Sequence, residues 1–196
     1  MNANPAWVIF ALAICLCRCA TPNGISHTHD HSPKAETTSR APQYGPGGEL
    51  QRPTDIDTWV FLGTSLNMAS ADKAAHPHQH LMNNVFIEPL AYSTFRNTGE
   101  FPEGTMTAIL IYSARADGAQ APGGLLPDKL QAFEMSVKDS RRFPKTGWAF
   151  YNFGPDGYSA QPQPQDTCYH CHKEHAETEL VFGQYYPVLK HSASAK

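Results

Sequence analysis

Short runs of apolar residues, separated by polar and glycine-rich segments, recur along the chain between residues 58 and 153. They are rich in β-branched and aromatic side chains and too short for ordinary helices, which is typical of β-strands. The clearest are Thr58–Thr64, Asn84–Glu88, Thr105–Tyr112 and Gly147–Phe153. The first is predicted to be a buried strand that Gly63 ends. A sheet is therefore the expected framework of the fold.

Leu130–Lys138 fits two patterns. Phe133, Met135 and Val137 alternate with polar residues, as in a strand. Leu130, Phe133 and Val137 also fit one face of a helix. We favour the strand.

Pro89 and Gly99 mark the ends of a predicted short helix, since proline suits the first helical position and glycine the position just past the end. The spacing puts Ala91 and Phe95 on one face of it. A second helix is expected to open at Cys168, followed by an extended segment, Leu180–Tyr186.

Five or so strands and two or three short helices define an α+β fold, mainly an antiparallel β-sheet with short flanking helices and a C-terminal helix. An all-helical bundle does not fit this pattern.

Trp7–Cys17 is an apolar run too short to span a bilayer but of the right length for the core of a signal peptide. Residues 1–19 are therefore predicted to be a signal peptide, and the protein to be periplasmic or otherwise exported. A lipid on Cys19 is the less favoured outcome, because Arg18 stands where a lipoprotein signal has a small residue.

Residues 20–52 contain almost no large apolar side chain and predict a flexible linker, leaving 53–190 as the folded domain and 191–196 as a tail. Each of two irregular segments carries a histidine tract. The tracts are His27, His29 and His31 in the linker, and His76, His78 and His80 further along. Both are interpreted as solvated chain rather than metal sites, because a flexible tract binds a metal without fixed geometry.

A net charge of −3 over 196 residues, with no long basic run, gives no case for nucleic-acid binding. The five cysteines are confined to two places, the predicted signal peptide and residues 168–171. The mature chain would keep a single pair, as expected of a covalent attachment made in an oxidising compartment.

Cys168-Tyr-His-Cys171-His172 has the spacing of a c-type haem attachment motif. Two thiols one helical turn apart can each add to a vinyl group of the porphyrin, and the next residue then offers its imidazole to the iron. The motif predicts covalent haem c, with Cys168 and Cys171 as thioether anchors and His172 as the axial iron ligand.

Three other interpretations of the cysteine pair are weaker. A redox-active pair normally follows a strand in a thioredoxin-like unit, and none is evident. A zinc site from Cys168, Cys171 and His175 lacks the usual second ligand pair. A disulfide between Cys168 and Cys171 would close too small a loop to stabilise the fold much.

Further segments resemble the cytochrome P-460 family, over about residues 55–187. They are Trp59–Thr64 (WVFLGT), Asn84–Pro89 (NVFIEP) with Ala91-Tyr92, Thr98–Thr105 (TGEFPEGT), Val137–Asp139 (VKD), Gly147–Phe150 (GWAF), the late Cys-x-x-Cys-His motif and Val181-Phe182. The resemblance implies a mostly antiparallel sheet with flanking helices, usually a homodimer, and one c-type haem with an axial histidine.

The same resemblance implies a small ligand, because the family includes nitric-oxide-binding cytochromes c′-beta and hydroxylamine-oxidising enzymes. In the latter a lysine is joined to the porphyrin edge, and Ile109 stands at that position here. Hydroxylamine oxidation is therefore disfavoured. A peroxidase-like or other oxidoreductase activity stays open, with no residue assigned a catalytic role.

Three functions are compared. The favoured one is a five-coordinate haem iron that binds or processes nitric oxide, peroxide or a nitrogen oxide, served by a redox partner protein. An electron carrier would need a second axial ligand, for which Met82, Met106 and Met135 are formally available. The third is a non-haem module in which His and Cys side chains bind zinc or copper. The only membrane contact expected is an N-terminal lipid.

The double variant Cys168→Ala, Cys171→Ala is expected to be colourless, because it has no sulfur to hold a porphyrin. An absorption spectrum with a mass measurement of the mature chain checks this. The variant Ile109→Lys, with both cysteines intact, serves as the comparison and need not form a crosslink. A coloured double variant would contradict the attachment.

Overall fold

The computed structural model describes residues 41–68 and 80–190. The predicted signal peptide, most of the predicted linker, both histidine tracts except His80, and the tail lie outside the described residues. Among the described residues, neither of the two α-helices is long and apolar enough to cross a membrane.

A five-stranded antiparallel sheet forms the centre of the fold, and its strands lie side by side in chain order. Its strands are β2 (Val60–Leu66), β3 (Leu81–Ile87), β4 (Met106–Arg115), β5 (Leu126–Lys138) and β6 (Trp148–Asn152). The α+β class is confirmed. Leu130–Lys138 is strand rather than helix, because its alternating apolar residues pack on one face of the sheet.

Alternation divides the sheet into two faces. On the first face, cross-strand pairs such as Ala108 with Met135 and Leu110 with Phe133 form the larger apolar core. The second face carries the alternate residues, including Thr107, Ser136 and Phe150, which lie in one cross-strand row. Each strand therefore contributes to two separate environments.

Helix α1 (Pro89–Thr98) covers part of the second face. The carboxylate of Glu88 accepts a hydrogen bond from the backbone N–H of Ala91 at 2.8 Å and caps its first turn. Gly99 ends it in the left-handed conformation, with φ of 80°. Ala91 and Phe95 are buried, as the spacing predicted.

The linker predicted for residues 20–52 is corrected over its last part. Strand β1 (Leu50–Gln51) pairs antiparallel with β7 (Ser159–Ala160), and Leu50 is fully buried in the first-face core. Organised chain therefore begins before residue 53. Tyr44, which forms a bridge to Leu50, packs against the same core.

Two predicted strand boundaries are wrong. Strand β2 does not end at Gly63, where the ladder has only a bulge, and as an edge strand it leaves Phe61 half exposed. The segment Leu180–Tyr186 is not extended, because after Val181 it turns into two short 3₁₀ helices, Gly183–Tyr185 and Pro187–Leu189.

Phe133→Ala is expected to lower the free energy of unfolding by about 3 to 5 kcal/mol. The ring is fully buried, meets Phe153 edge-on, and lies under the guanidinium of Arg52. Denaturant unfolding measures the loss. Tyr158→Ala is the control, since Tyr158 is 84% exposed and its removal should change stability by less than about 0.5 kcal/mol. Equal losses would contradict the assigned core.

Candidate functional site

Helix α2 (Gln165–His175) carries the cysteine motif and packs near β6. It begins three residues before Cys168, so the motif lies inside the helix rather than opening it. Helical spacing sets Cys168 and Cys171 about one turn apart. Both thiols are free, and Cys168 is half-buried while Cys171 is exposed.

His172 lies between two aromatic rings. Its ring centroid is 4.5 Å from that of Phe150 on β6 and 4.5 Å from that of Phe182 in the C-terminal segment. Its Nδ1–H donates a hydrogen bond of 2.6 Å to the backbone carbonyl of Leu180. A carbonyl oxygen can only accept, so the proton is fixed on Nδ1 and the lone pair on Nε2.

Burial lowers the pKa of His172 below its ordinary value, although the hydrogen bond to Leu180 acts in the opposite direction. The imidazole is therefore neutral at physiological pH. A neutral imidazole with its lone pair on Nε2 is the form that binds a metal.

A cross-strand row on the second face lies close to the motif. Val85, Ile109, Glu134 and Asn152 pair directly across strands β3 to β6. The Glu134 carboxylate accepts a hydrogen bond of 3.0 Å from the Asn152 amide, and burial raises its pKa. This row puts a carboxyl group beside apolar side chains.

The thiol of Cys168 interacts electrostatically with this carboxyl group. Burial raises the pKa of the Cys168 thiol, and the negative charge of Glu134 raises it further. Cys168 is therefore close enough to Glu134 to sense its charge, while His172 makes a ring contact with Phe150.

The three methionines considered as second axial ligands lie on the wrong face. Met106 and Met135 are buried in the first-face core, and Met82 pairs across from Tyr112, which packs against that core. His172 instead contacts Phe150 of the second face. Strand alternation thus separates all three methionines from the motif.

The other histidines of α2 do not join the site. Both His170 and His175 are exposed, with Nε2 of His170 3.4 Å from the Asp166 carboxylate and Nε2 of His175 3.8 Å from that of Glu174. Across residues 41–68 and 80–190, no three His, Cys, Asp or Glu side chains are grouped to hold a metal ion. The zinc arrangement of Cys168, Cys171 and His175, already the weaker interpretation, is therefore not formed there.

Sequence reasoning missed three contributors to the site: the Leu180 carbonyl, the ring pair around His172, and Glu134. The Leu180 carbonyl had no signal, because a backbone contact leaves no residue pattern. Phe150 and Phe182 lie in segments that resemble the family, but nothing in the sequence placed their rings against His172. Glu134 did have a signal, since it is the polar position between Phe133 and Met135 in an alternating strand.

These residues fit a haem. Two free thiols one turn apart, followed by an imidazole whose Nε2 keeps its lone pair, form the donor set of a c-type attachment site. An antiparallel sheet that supports such a helix on one face defines a small α+β haem protein.

The sequence model of the cytochrome P-460 family matches residues 53–183. The match spans well over half of the chain and includes the motif, so the protein belongs to the cytochrome P-460 family. Membership makes it a cytochrome with a haem iron cofactor. No curated protein matches the chain significantly.

Glu134→Gln is expected to raise the free energy of unfolding at pH 7. Burial raises the pKa of Glu134 in the folded state, so the ionised carboxylate destabilises the folded protein at pH values above its unfolded-state pKa. This destabilisation disappears as the pH falls below about 4.3, where the carboxyl group is protonated in both states. The gain from the substitution should therefore vanish at pH 4, which unfolding curves at several pH values measure.

Glutamine keeps an acceptor for Asn152, so the comparison isolates the charge. Asp128→Asn, at an exposed position of the same strand, is the control and should change stability by less than about 0.5 kcal/mol at either pH. A Glu134→Gln variant that is no more stable than the wild type at pH 7 would refute the argument.

Proposed function

We propose that the protein is an exported mono-haem cytochrome that binds or redox-processes nitric oxide, peroxide or a nitrogen oxide at a five-coordinate iron. The sulfurs of Cys168 and Cys171 hold the porphyrin as thioethers, and Nε2 of His172 is the axial ligand. Bound haem would supply a one-electron iron centre to which a small ligand can bind. The fixed Nδ1–H tautomer of His172, beside two free thiols, carries the proposal.

His172 is prepared for this role by its surroundings. The rings of Phe150 and Phe182 limit its rotation, and the Leu180 carbonyl fixes the tautomer. A hydrogen bond from Nδ1–H also makes Nε2 a stronger donor. Because burial lowers the pKa of His172, no proton has to leave before Nε2 can bind.

A five-coordinate iron is supported by the position of the methionines. Met106 and Met135 are enclosed in the first-face core, so neither can reach the motif side without disrupting it. Val85 and Ile109 instead offer apolar surface on the second face, which suits a small uncharged ligand. No comparable observation favours an electron carrier with saturated iron.

Hydroxylamine oxidation is not part of the proposal. In enzymes of that kind a lysine crosslinks to the porphyrin, and in this chain Ile109 occupies the corresponding position. Strand β4 contains no lysine. Lys138 does lie on the second face, but its ammonium group is bound to the Glu179 carboxylate and to the Phe101 carbonyl. Export, a homodimeric state and a redox partner protein remain predictions from the sequence.

The ferrous protein is expected to show a broad high-spin Soret band that shifts when nitric oxide is added. Absorption spectra of protein matured with a cytochrome c assembly system test this. His172→Ala should keep the covalent haem but change the ferrous spectrum before any ligand is added, because its axial donor is gone.

His175→Ala is the matched control, since His175 is an exposed histidine on the same helix and should leave the spectrum unchanged. Sharp low-spin bands that ignore nitric oxide would instead favour the electron carrier. Absence of any Soret band would favour the non-haem alternative.

A further inference from the structure

The tight turn Thr178–Val181 has an unusual backbone. The N–H of Val181 donates to the carbonyl of Thr178 at 2.8 Å, and the two central residues, Glu179 and Leu180, have φ of 46° and 65°. Two consecutive positive values are those of a type I′ turn, which normally uses glycine, asparagine or aspartate. A glutamate and a leucine pay a steric cost there. Strained residues of this kind cluster at functional sites.

This turn presents the backbone atom that His172 needs. The carbonyl of Leu180, its second strained residue, is the acceptor for Nδ1–H of His172 at 2.6 Å. A change in the conformation of either central residue would rotate this carbonyl. The geometry of the hydrogen bond therefore depends on the left-handed conformation being held.

Contacts from outside the turn hold it. The Glu179 carboxylate accepts a hydrogen bond from the Phe101 backbone N–H at 3.1 Å and a second from the Lys138 ammonium group. The same ammonium group donates to the Phe101 carbonyl at 2.6 Å. The Lys138 side chain is only 18% exposed and lies at the end of β5, so the anchor is part of the sheet.

We propose that Lys138 and Glu179 are a positioning pair for the axial histidine. By fixing the strained turn to the sheet, they hold the Leu180 carbonyl on Nδ1 of His172 and so set how strongly Nε2 donates. The inference rests on the proposed function only in taking His172 as the axial ligand. The pair acts on His172 through the Leu180 carbonyl, so Lys138 and Glu179 are positioning residues.

Lys138→Met keeps most of the side-chain volume and removes the charge. Glu179 is then held by the Phe101 N–H alone, so the turn can relax and the hydrogen bond at Nδ1 weakens, which makes His172 a poorer donor and favours ferrous iron. The ratio of ferrous to ferric protein at a fixed ambient potential should rise about tenfold, equivalent to about 59 mV for one electron. The iron–histidine stretching band of the ferrous protein should move to lower frequency.

Lys138→Arg retains a cation within reach of Glu179 and should keep the wild-type potential and band. Asp117→Asn is the control, because it removes an exposed ion pair with Arg115 far along β4 from the turn. A purely structural role for Lys138 would lower the unfolding temperature of Lys138→Met without moving either spectroscopic quantity. That result overturns the proposal.

Glu179→Gln decides the question if Lys138→Met does not fold. Its amide oxygen can still accept from the Phe101 N–H, whereas the charge that binds Lys138 is lost. A shift in the same direction supports the pair, and wild-type values refute it. Failure of the proposed function looks different, since it appears in the wild-type protein as missing haem mass or a missing iron–histidine band.

Discussion

The imidazole of His172 lies between two aromatic rings and donates one hydrogen bond to the chain, and the other parts of the site are arranged around it. The contacts come from two separate segments. Phe150 belongs to the last strand of the sheet, whereas Phe182 and the Leu180 carbonyl belong to the irregular C-terminal chain. The site is thus assembled only when helix, sheet and C-terminal segment have all packed together.

Electrostatics within the site follow from the same burial. Burial lowers the pKa of His172 and raises the pKa of Glu134, so both groups are shifted toward their neutral forms. The thiol of Cys168 is likewise held protonated by burial and by its carboxyl neighbour. Burial thus acts in the same direction on all three ionisable groups, toward the form that carries no charge.

Much of this arrangement could be predicted from local patterns. Alternation in Leu130–Lys138 correctly indicated a strand, and Pro89 and Gly99 correctly marked a helix, because both signals depend only on neighbouring residues. The cysteine motif identified the haem class for the same reason. Helical spacing likewise placed Ala91 and Phe95 together on the buried face of α1.

The features that could not be predicted from the sequence depend on contacts between distant segments of the chain. Leu50 is buried because β1 pairs with a strand more than 100 residues away. No residue pattern near Leu50 indicates that pairing. Gly63 suggested a strand end, yet the ladder with β3 continues through it as a bulge. The Leu180 carbonyl is a backbone group, so its hydrogen bond to His172 cannot be predicted from a pattern of side chains.

Strand β5 serves the core and the site with alternate residues. Its first-face positions are Phe133, Met135 and Val137, and its second-face positions are Glu134, Ser136 and Lys138. A single inserted or deleted residue inside this strand would exchange the two sets at once, turning a carboxylate and an ammonium group toward the apolar interior. Within Phe133–Lys138 a substitution therefore changes one environment at a time, whereas a change in length alters the core and the site together.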